Sequence, residues 1–300
     1  LYAPALIRAL KTKNRFSATS VDQLPHHFAA YFMFGHQLLL PIPDVDHTDY
    51  FLMLGANPLA SNGSLMTAGG IERRLKNLQK RGGKLVVIDP RKTETAKLAD
   101  EHHFIKPAAD VFFLLAMVNV IFADNKVDLG HLADLIDDSQ LHQLREAVAD
   151  FTPEAVASQT GISADEIRRI VHEFISAETA VCYGRVGLSM QPFGGLCQWL
   201  MNVVNILTGN FDSVGGAMFT QPAFDVVAFT SLTGQTGSYD RWRSRVRNLP
   251  EFGGELPVSV LAEEILTEGE GQIRALITSA GNPVLSTPNG TQVEKALESL

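Results

Sequence analysis

The hydrophobic positions of this chain form two alternating kinds of segment. Short apolar runs that end near glycine or proline are typical of strands buried on both faces of a parallel sheet. Such runs cover residues 50–55, 84–90, 102–107 and 179–184. Apolar positions at helical spacing, or capping residues at segment ends, predict helices at 71–83, 111–123, 152–161, 163–175 and 196–207. This alternation predicts an α/β fold with a doubly wound, Rossmann-like parallel sheet.

The pattern changes in the last third of the chain. Residues 220–255 are rich in Gly, Thr, Ser, Pro and Phe and lack a clear repeat, which is typical of long functional loops or of a domain crossing. Residues 272–283 are predicted as a strand ending in Gly-Asn-Pro, and a helix is predicted at the end of the chain. We therefore predict one α/β domain at residues 1–219 and part of a second α/β domain at residues 220–300.

Composition narrows the classes of partner. The formal net charge of −8 argues against nucleic acid, because nucleic-acid binding needs a concentrated basic surface. The basic run at 241–247 alternates charged and apolar residues, which indicates a solvated segment or a domain-interface strand. The most apolar run, 111–123, is too short to cross a bilayer, so no direct membrane span is predicted.

The two cysteines, Cys182 and Cys197, lie in apolar surroundings, where cysteine packs as a small hydrophobic residue. Two cysteines at this spacing predict neither a disulfide framework nor an iron–sulfur centre. The chain lacks an initiator methionine and begins with helix-like residues, so we expect it to be a piece of a longer protein. The compartment is left open between the cytoplasmic and periplasmic faces of a bacterial cell.

Polar and flexible residues follow the predicted strands. In an open parallel sheet, ligands bind beyond the carboxyl ends of the strands, at the crevice where strand order reverses. Gly55 allows close backbone approach, and a following helix N-terminus offers N–H groups to a phosphate. Asp89 can accept ribose hydroxyls, Arg91 can bind phosphate, and Asp110 can accept from the N–H groups of a purine.

Each of these residues also has a structural interpretation. Asp110 is placed to cap the helix at 111–123, and Asp89 followed by proline can simply end a strand. Gly-(Ala)-Asn-Pro is a common turn that occurs twice, at 55–58 and 281–283. Neither G-x-G-x-x-G nor G-x-x-x-x-G-K-[ST] is present, so the usual dinucleotide and P-loop fingerprints are absent. Taken singly, each residue favours the structural interpretation.

Taken in order, however, the segments resemble a known family. These segments are "LGANP", "VVIDPRKTETAKLAD", "IKPAAD", "FTPEAVASQTGISADEIRRI", "GRVGLSMQPFGG", "LTGNFDSVGGAM" and "ALITSAGNP". Together they resemble the molybdopterin oxidoreductases of the dimethyl sulfoxide reductase type, which include formate dehydrogenases, nitrate reductases and polysulfide or thiosulfate reductases. The resemblance runs from about Ser17 to the end of the chain.

The resemblance implies a cofactor and its binding residues. Such enzymes carry molybdenum or tungsten between two molybdopterin guanine dinucleotides, one held by each of two similar domains. The implied cofactor-binding residues are Gly55, Asn57, Pro58, Ser61, Asp89, Arg91, Asp110, Gly184, Gly187, Gly281, Asn282 and Pro283. The turn at 55–58 would contact diphosphate or ribose, and Asp110 would read guanine. Residues 184–189 would approach the pterin, and 281–283 would serve the second dinucleotide.

Two further details follow from the resemblance. Asp89 and Arg91 would hold the ribose and phosphate side of the first dinucleotide. The family often carries a glutamine shortly after the second glycine of the segment that begins at residue 184. Met190 stands at that place here and Gln191 follows it, so this contact is left open.

The resemblance also implies a protein ligand to the metal, ahead of the first Gly-x-Asn-Pro turn. The region "RFSATSVDQLPHH" contains no cysteine, and Asp22 offers a hard oxygen that suits an oxidised metal, with Ser17 and Ser20 as rivals. Residues 20–22 can alternatively cap the following helix. His26 and His27 are candidates for proton transfer near the metal, or ordinary surface residues at a helix start.

The expected function is two-electron redox of a small substrate such as formate, nitrate or a sulfur oxyanion, with electron-transfer subunits or a redox carrier as partners. The iron–sulfur cluster is expected ahead of residue 1 and a closing barrel after residue 300, so the fragment alone is expected to be inactive. One alternative is a non-catalytic electron-transfer scaffold, as in respiratory NADH dehydrogenase. Another is an ordinary nucleotide-binding domain without a metal.

Overall fold

The computed structural model describes residues 3–66 and 68–300. The α-helices are α1 (Ala3–Leu10), α2 (Leu24–Phe34), α3 (Pro58–Ser61), α4 (Ile71–Lys80), α5 (Glu94–Leu98), α6 (Asp110–Ala123), α7 (Asp138–Val148), α8 (Pro153–Thr160), α9 (Ala164–Ser176), α10 (Val186–Ser189), α11 (Gly194–Leu207), α12 (Val226–Leu232), α13 (Leu261–Leu266), α14 (Pro283–Ser286) and α15 (Gly290–Glu298). The strands are β1 (Ile42–Pro43), β2 (Tyr50–Leu54), β3 (Lys84–Ile88), β4 (Glu101–His103), β5 (Ala180–Gly184), β6 (Ala217–Met218), β7 (Tyr239–Arg243) and β8 (Pro250–Phe252). Short 3₁₀ helices cover Ala18–Val21, Gly130–Leu135 and Val258–Val260.

The chain forms two compact units. One comprises Leu39–Asp225, and the other combines the chain up to Leu38 with Val226–Leu300. We call the second unit the C-terminal unit. Its longer segment begins at Val226, whereas the sequence analysis places the boundary after residue 219 and assigns the first 38 residues to the sheet domain. Aromatic contacts explain this difference, because Phe28 of α2 packs against Tyr239 and Phe252 of the β7–β8 pair. Such non-local contacts leave no periodicity in the sequence.

A four-stranded parallel sheet forms the centre of the 39–225 unit. Its strand order is β4-β3-β2-β5. β2 pairs in parallel with β3 on one side and with β5 on the other, so the predicted parallel pairing of 50–55 with 84–90 is confirmed. Residues 51–54 and 85–88 are fully buried, because these strands are apolar on both faces.

The predicted third strand is shorter than expected and shifted toward its N-terminus. The apolar run at 102–107 predicts a strand there, whereas β4 covers only Glu101–His103. The chain then leaves the sheet, and the backbone N–H of Lys106 donates to the carbonyl oxygen of Thr160. This end of the run is therefore held by α8 and not by a neighbouring strand.

The predicted helices of this unit form close to their predicted limits. α6 and α11 are apolar nearly all round, and they pack on each other beside the sheet. The predicted caps are confirmed, since the Thr152 and Ser163 side chains accept from backbone N–H groups of α8 and α9, and Gly161 ends α8 with a positive φ.

The C-terminal unit has a different architecture. β7 and β8 pair antiparallel, and a separate apolar cluster is formed by Val258, Leu261, Ala262, Ile265, Ile273, Val293 and Ala296. The strand predicted at 272–283 is wrong: this segment has no regular structure until α14 begins at Pro283. A strand needs a neighbour for its backbone hydrogen bonds, and the described part of this unit offers 272–283 none. A second parallel α/β sheet is therefore not seen in the described residues.

The basic run at 241–247 is neutralised within its own unit. Its four arginines contact acidic side chains, in the pairs Arg241–Glu251, Arg243–Asp240, Arg245–Glu264 and Arg247–Glu263. Glu251 and Glu264 are buried, so in two of these pairs an arginine compensates a buried carboxylate. The run is thus a structural element, as its alternating pattern indicated. Among the described helices, none combines the length and apolar character needed to cross a membrane.

A charged network closes the amino end of the sheet. Lys84 and Glu101, the first residues of β3 and β4, contact each other at 2.5 Å, and Arg169 of α9 contacts Glu101 at 2.5 Å. Arg169 also contacts Glu166 and Glu173 at 2.6 Å. The network therefore connects α9 to the sheet. It lies at the opposite end of the sheet from the predicted cofactor-binding residues that follow β2 and β3.

Candidate functional site

Two glycine turns meet at the carboxyl end of the sheet, where the strand order changes direction. The chain runs outward from β2 to β3 and β4, then returns to β5 on the other side of β2. Gly55 follows β2 with a φ of +53°, and its carbonyl oxygen accepts from the N–H of Gly187 at 2.9 Å. A Cβ on Gly187 would lie 2.8 Å from the Gly55 Cα, and one on Gly184 would lie 2.2 Å from the Leu188 side chain. Glycine is therefore required where these turns touch.

The residues after Gly55 link this turn to the next one. The Asn57 Oδ1 accepts from the N–H and the hydroxyl of Thr95 at 3.2 and 2.7 Å, and its Nδ2 donates to Glu94 at 2.7 Å. Pro58 is buried at the first position of α3, and the exposed Ser61 donates to the Asn57 carbonyl oxygen at 3.3 Å. The Asn57 side chain thus joins the turn after β2 to the start of α5.

Asp89 ends β3 at the same edge. Its Oδ1 accepts from the N–H of Arg91 at 2.8 Å, while its backbone carbonyl oxygen lies 3.0 Å from His102 Nε2. Asp89 is buried, and this burial raises the pKa of its carboxyl, while the Arg91 N–H and the charges of His102 and Arg91 act in the opposite direction. Arg91 itself is exposed, so a guanidinium stands beside a buried carboxyl.

Asp110 lies close to Asp89. It is the first residue of α6 and not its cap: Ala109 occupies the N-cap position, without a side-chain capping bond. Burial raises the pKa of the Asp110 carboxyl, and the nearby charge of Asp89 raises it further. Asp89 and Asp110 therefore lie within electrostatic reach of each other, and the capping interpretation of Asp110 is wrong.

The segment after β5 contains Gln191, whose contact the sequence analysis left open, and Arg185, which it did not identify. The Gln191 Nε2 donates to Asp110 Oδ2 at 2.9 Å and to the Gly187 carbonyl oxygen at 3.0 Å. Met190, at the place where the resemblance expects a glutamine, is 44% exposed. Arg185 is buried and its guanidinium donates to the Ser64 hydroxyl. A charged residue directly after a buried strand was the available sequence signal for Arg185.

The candidate metal ligands belong to the C-terminal unit. The Ser17 hydroxyl donates to Glu255, and the Ser20 hydroxyl accepts from the N–H of Val258 at 2.9 Å. Asp22 is half-buried and ends the short helix Ala18–Val21. The capping alternative for residues 20–22 is wrong, because Gln23 is the N-cap of α2 and makes no side-chain capping bond.

The two histidines and the second Gly-Asn-Pro turn also lie in the C-terminal unit. His26 and His27 are buried, which corrects the alternative that they are surface residues. The His27 Nδ1 lies 2.7 Å from the carbonyl oxygen of Gln37, so Nδ1 carries a hydrogen. In the segment 281–283, Asn282 is exposed and its side chain caps α14. None of these residues is in the unit that holds Gly55, Asp89 and Asp110.

Fold and site together define a parallel-sheet α/β protein with glycine turns and buried carboxyls at the point of strand-order reversal. The chain belongs to the molybdopterin oxidoreductase family, whose family model matches residues 3–300. This membership confirms the resemblance seen in the sequence motifs.

Individual relatives agree with this family. Formate dehydrogenase H of Escherichia coli is 27% identical over 270 residues, which cover 86% of this chain and 37% of the relative. The thiosulfate reductase molybdopterin-containing subunit PhsA of Salmonella typhimurium is 25% identical over 325 residues, with 98% of this chain and 39% of the relative covered. The chain therefore spans less than two fifths of the length of these curated relatives.

A solved structure supports the fold. Acetylene hydratase from Pelobacter acetylenicus superposes with a TM-score of 0.61 at 23% identity, covering 74% of this chain and 29% of that chain. Family membership implies molybdopterin with molybdenum or tungsten as the cofactor. The residues at the carboxyl edge fit such a polar ligand: Asp89 and Asp110 offer acceptor oxygens, Arg91 is exposed, and the Gln191 Oε1 is buried without a hydrogen-bond partner.

Proposed function

We propose that this chain is the core of a molybdenum or tungsten oxidoreductase that binds two molybdopterin guanine dinucleotides. The observation that carries the proposal is the convergence of the Gly55 turn, Asp89 and Asp110 at one edge of a parallel sheet. Ligands of open parallel sheets bind where strand order reverses, and these three features lie around that point. We further propose that the sheet is doubly wound, as in other dinucleotide-binding domains.

Each residue of this edge has a proposed role toward the first dinucleotide. The Gly55 and Gly187 turns, whose backbones pack directly on each other, border the diphosphate and pterin segments. Arg91 binds phosphate, and Asp89 accepts from ribose hydroxyls. Asp110 accepts from the N–H groups of guanine. Asn57 joins the loop after β2 to the start of α5 through its hydrogen bonds with Thr95 and Glu94.

The candidate residues of the C-terminal unit have proposed roles of their own. Residues 281–283 would serve the second dinucleotide, and Asp22 would bind the metal. Ser17 and Ser20 are the rival candidates, and their hydroxyls bond to Glu255 and to the N–H of Val258. His26 and His27 are proposed to move protons near the metal. When bound, the metal supplies the two-electron chemistry.

Substrate and partners follow from the relatives. We propose formate, nitrate or a sulfur oxyanion as the substrate class, with electron-transfer subunits or a redox carrier as partners. An iron–sulfur cluster would be held by other segments of the protein, because both cysteines of this chain are buried and burial raises the pKa of each thiol.

Metal and nucleotide analysis of the full-length protein tests the proposal. The protein would be purified from a host supplied with molybdate and tungstate, and its metal content and the GMP released by acid hydrolysis would be measured. We expect one metal atom and two GMP per protein. GMP without metal would support the scaffold or simple nucleotide-binding alternatives, and the absence of both would refute the proposal.

A further inference from the structure

The carboxyl group of Asp110 is held by a specific amide orientation. Asp110 is 5% exposed, and the Gln191 Nε2 donates one hydrogen to its Oδ2 at 2.9 Å. The second hydrogen of the same nitrogen goes to the carbonyl oxygen of Gly187 at 3.0 Å. Gln191 therefore connects the start of α6 with the glycine turn that touches Gly55.

This orientation leaves the other end of the amide unsatisfied. The Gln191 Oε1 is buried and has no hydrogen-bond partner. Turning the amide over would bring that oxygen against two acceptors, the Asp110 carboxylate and the Gly187 carbonyl oxygen. A buried acceptor without a partner is unfavourable. The Gln191 amide thus keeps its Nε2 directed at Asp110, although its Oε1 then has no hydrogen-bond partner.

We propose that Gln191 is a positioning residue, which fixes the Asp110 carboxylate so that it accepts two adjacent N–H groups of one nucleobase edge. A carboxylate has about four acceptor positions, so one bond from Gln191 leaves capacity for two more. Guanine presents its ring N1–H beside its exocyclic amino group. Hypoxanthine lacks the amino group, and adenine presents an acceptor at N1. The inference rests on the proposed function and adds a determinant of base specificity to it.

The charges around Asp110 give this role a pH signature. Two titratable groups on neighbouring elements interact electrostatically with Asp110: the Asp89 carboxyl at the end of β3 and the Cys197 thiol on α11. The thiol is neutral, because burial raises its pKa to about 12. Burial raises the pKa of Asp110, and the hydrogen bond from Gln191 opposes that rise. Removing the amide should therefore raise this pKa further. Recognition of two N–H donors needs the ionised carboxylate, so binding should then be lost at a higher pH.

Calorimetric titration of the 300-residue chain with GDP, IDP and ADP tests the proposal. We expect the wild-type chain to prefer GDP. Gln191→Met, which removes the donor at similar length, should weaken GDP binding about tenfold at neutral pH, because the Asp110 carboxylate is then no longer held in one orientation. It should leave ADP binding nearly unchanged, and the pH at which GDP binding is half lost should rise. Gln191→Leu provides a second variant without the donor.

Gln198 offers a matched control. It is a buried glutamine whose Oε1, like that of the partly buried Gln191, has no hydrogen-bond partner, but its Nε2 donates to the Ser189 hydroxyl at 3.0 Å and not to Asp110. Gln198→Met should keep both the GDP preference and the pH midpoint. A wild-type chain without GDP preference, an unchanged midpoint in Gln191→Met, or the same shift in Gln198→Met would each overturn the inference. Absence of metal from a full-length protein whose chain still selects GDP through Gln191 would instead overturn only the proposed function.

Discussion

Replacing Glu101 by glutamine should remove the main acid of the network at the amino end of the sheet. Glu101 Oε2 contacts Arg169 at 2.5 Å and His103 at 3.0 Å, and its Oε1 contacts Lys84 at 2.5 Å. A glutamine at this position would lose the charge and would turn an N–H₂ group toward two cations. The variant therefore tests how much this network stabilises the attachment of α9 to the sheet.

The size of the effect follows from the pKa of Glu101. The Arg169 hydrogen bond, assisted by Lys84 and His103 and opposed by burial, lowers that pKa from 4.5 to about 2. Such a difference corresponds to about 3 kcal/mol at most. Because 27% of the Glu101 side chain is exposed, solvent screening reduces the expected value to about 1–2 kcal/mol.

The sign of the pH dependence is fixed by the lowered pKa. A lowered folded-state pKa contributes stability above the unfolded-state value of 4.5, and this contribution is lost as the pH falls toward 2. Urea unfolding followed by circular dichroism should show a less stable variant at neutral pH, and a difference less than half as large near pH 3.

A matched control for Glu101 is Glu154, whose side chain also pairs with an arginine, Arg168, but is 60% exposed. Glu154→Gln should change the free energy of unfolding little. An effect of Glu101→Gln that is the same at both pH values, or no larger than that of Glu154→Gln, would refute the reasoning. Because the network lies at the amino ends of the strands, GDP binding should be unchanged in Glu101→Gln.

Three further predictions concern the proposed site. Asp110→Asn should stabilise the ligand-free chain at neutral pH, because burial raises the pKa of the Asp110 carboxyl and the ionised form is therefore unfavourable in the folded chain; an unfolding free energy at or below wild type would contradict this. Gly187→Ala should destabilise the chain by about 1–3 kcal/mol, since the new Cβ would lie 2.8 Å from the Gly55 Cα. Gly69→Ala, with open space around it, should change the melting temperature little, and similar losses in both variants would count against the close-contact argument. Asp22→Ala in the full-length protein should change the metal absorption spectrum, and an unchanged spectrum with unchanged turnover would remove Asp22 as the ligand.

Sequence reasoning located most of the 39–225 unit. The short, continuous apolar runs of β2, β3 and β5 are typical of strands buried on both faces, so their parallel pairing could be predicted. The same reasoning failed at 272–283, where an equally strand-like run lacks a neighbouring strand among the described residues. Local pattern specifies which conformation a segment favours, but a strand forms only where another backbone completes its hydrogen bonds.

The candidate site divides in the same way. Motif order in the sequence identified Gly55, Asp89 and Asp110, and the family, because these features depend on residue type and spacing alone. Only the tertiary structure decided that Asp110 is not a helix cap and that Gln191, 81 residues later, donates to it. It also decided that the first 38 residues join the C-terminal unit. These outcomes depend on contacts between side chains that are far apart in the sequence. Such contacts produce no local periodicity, so a sequence pattern does not predict them.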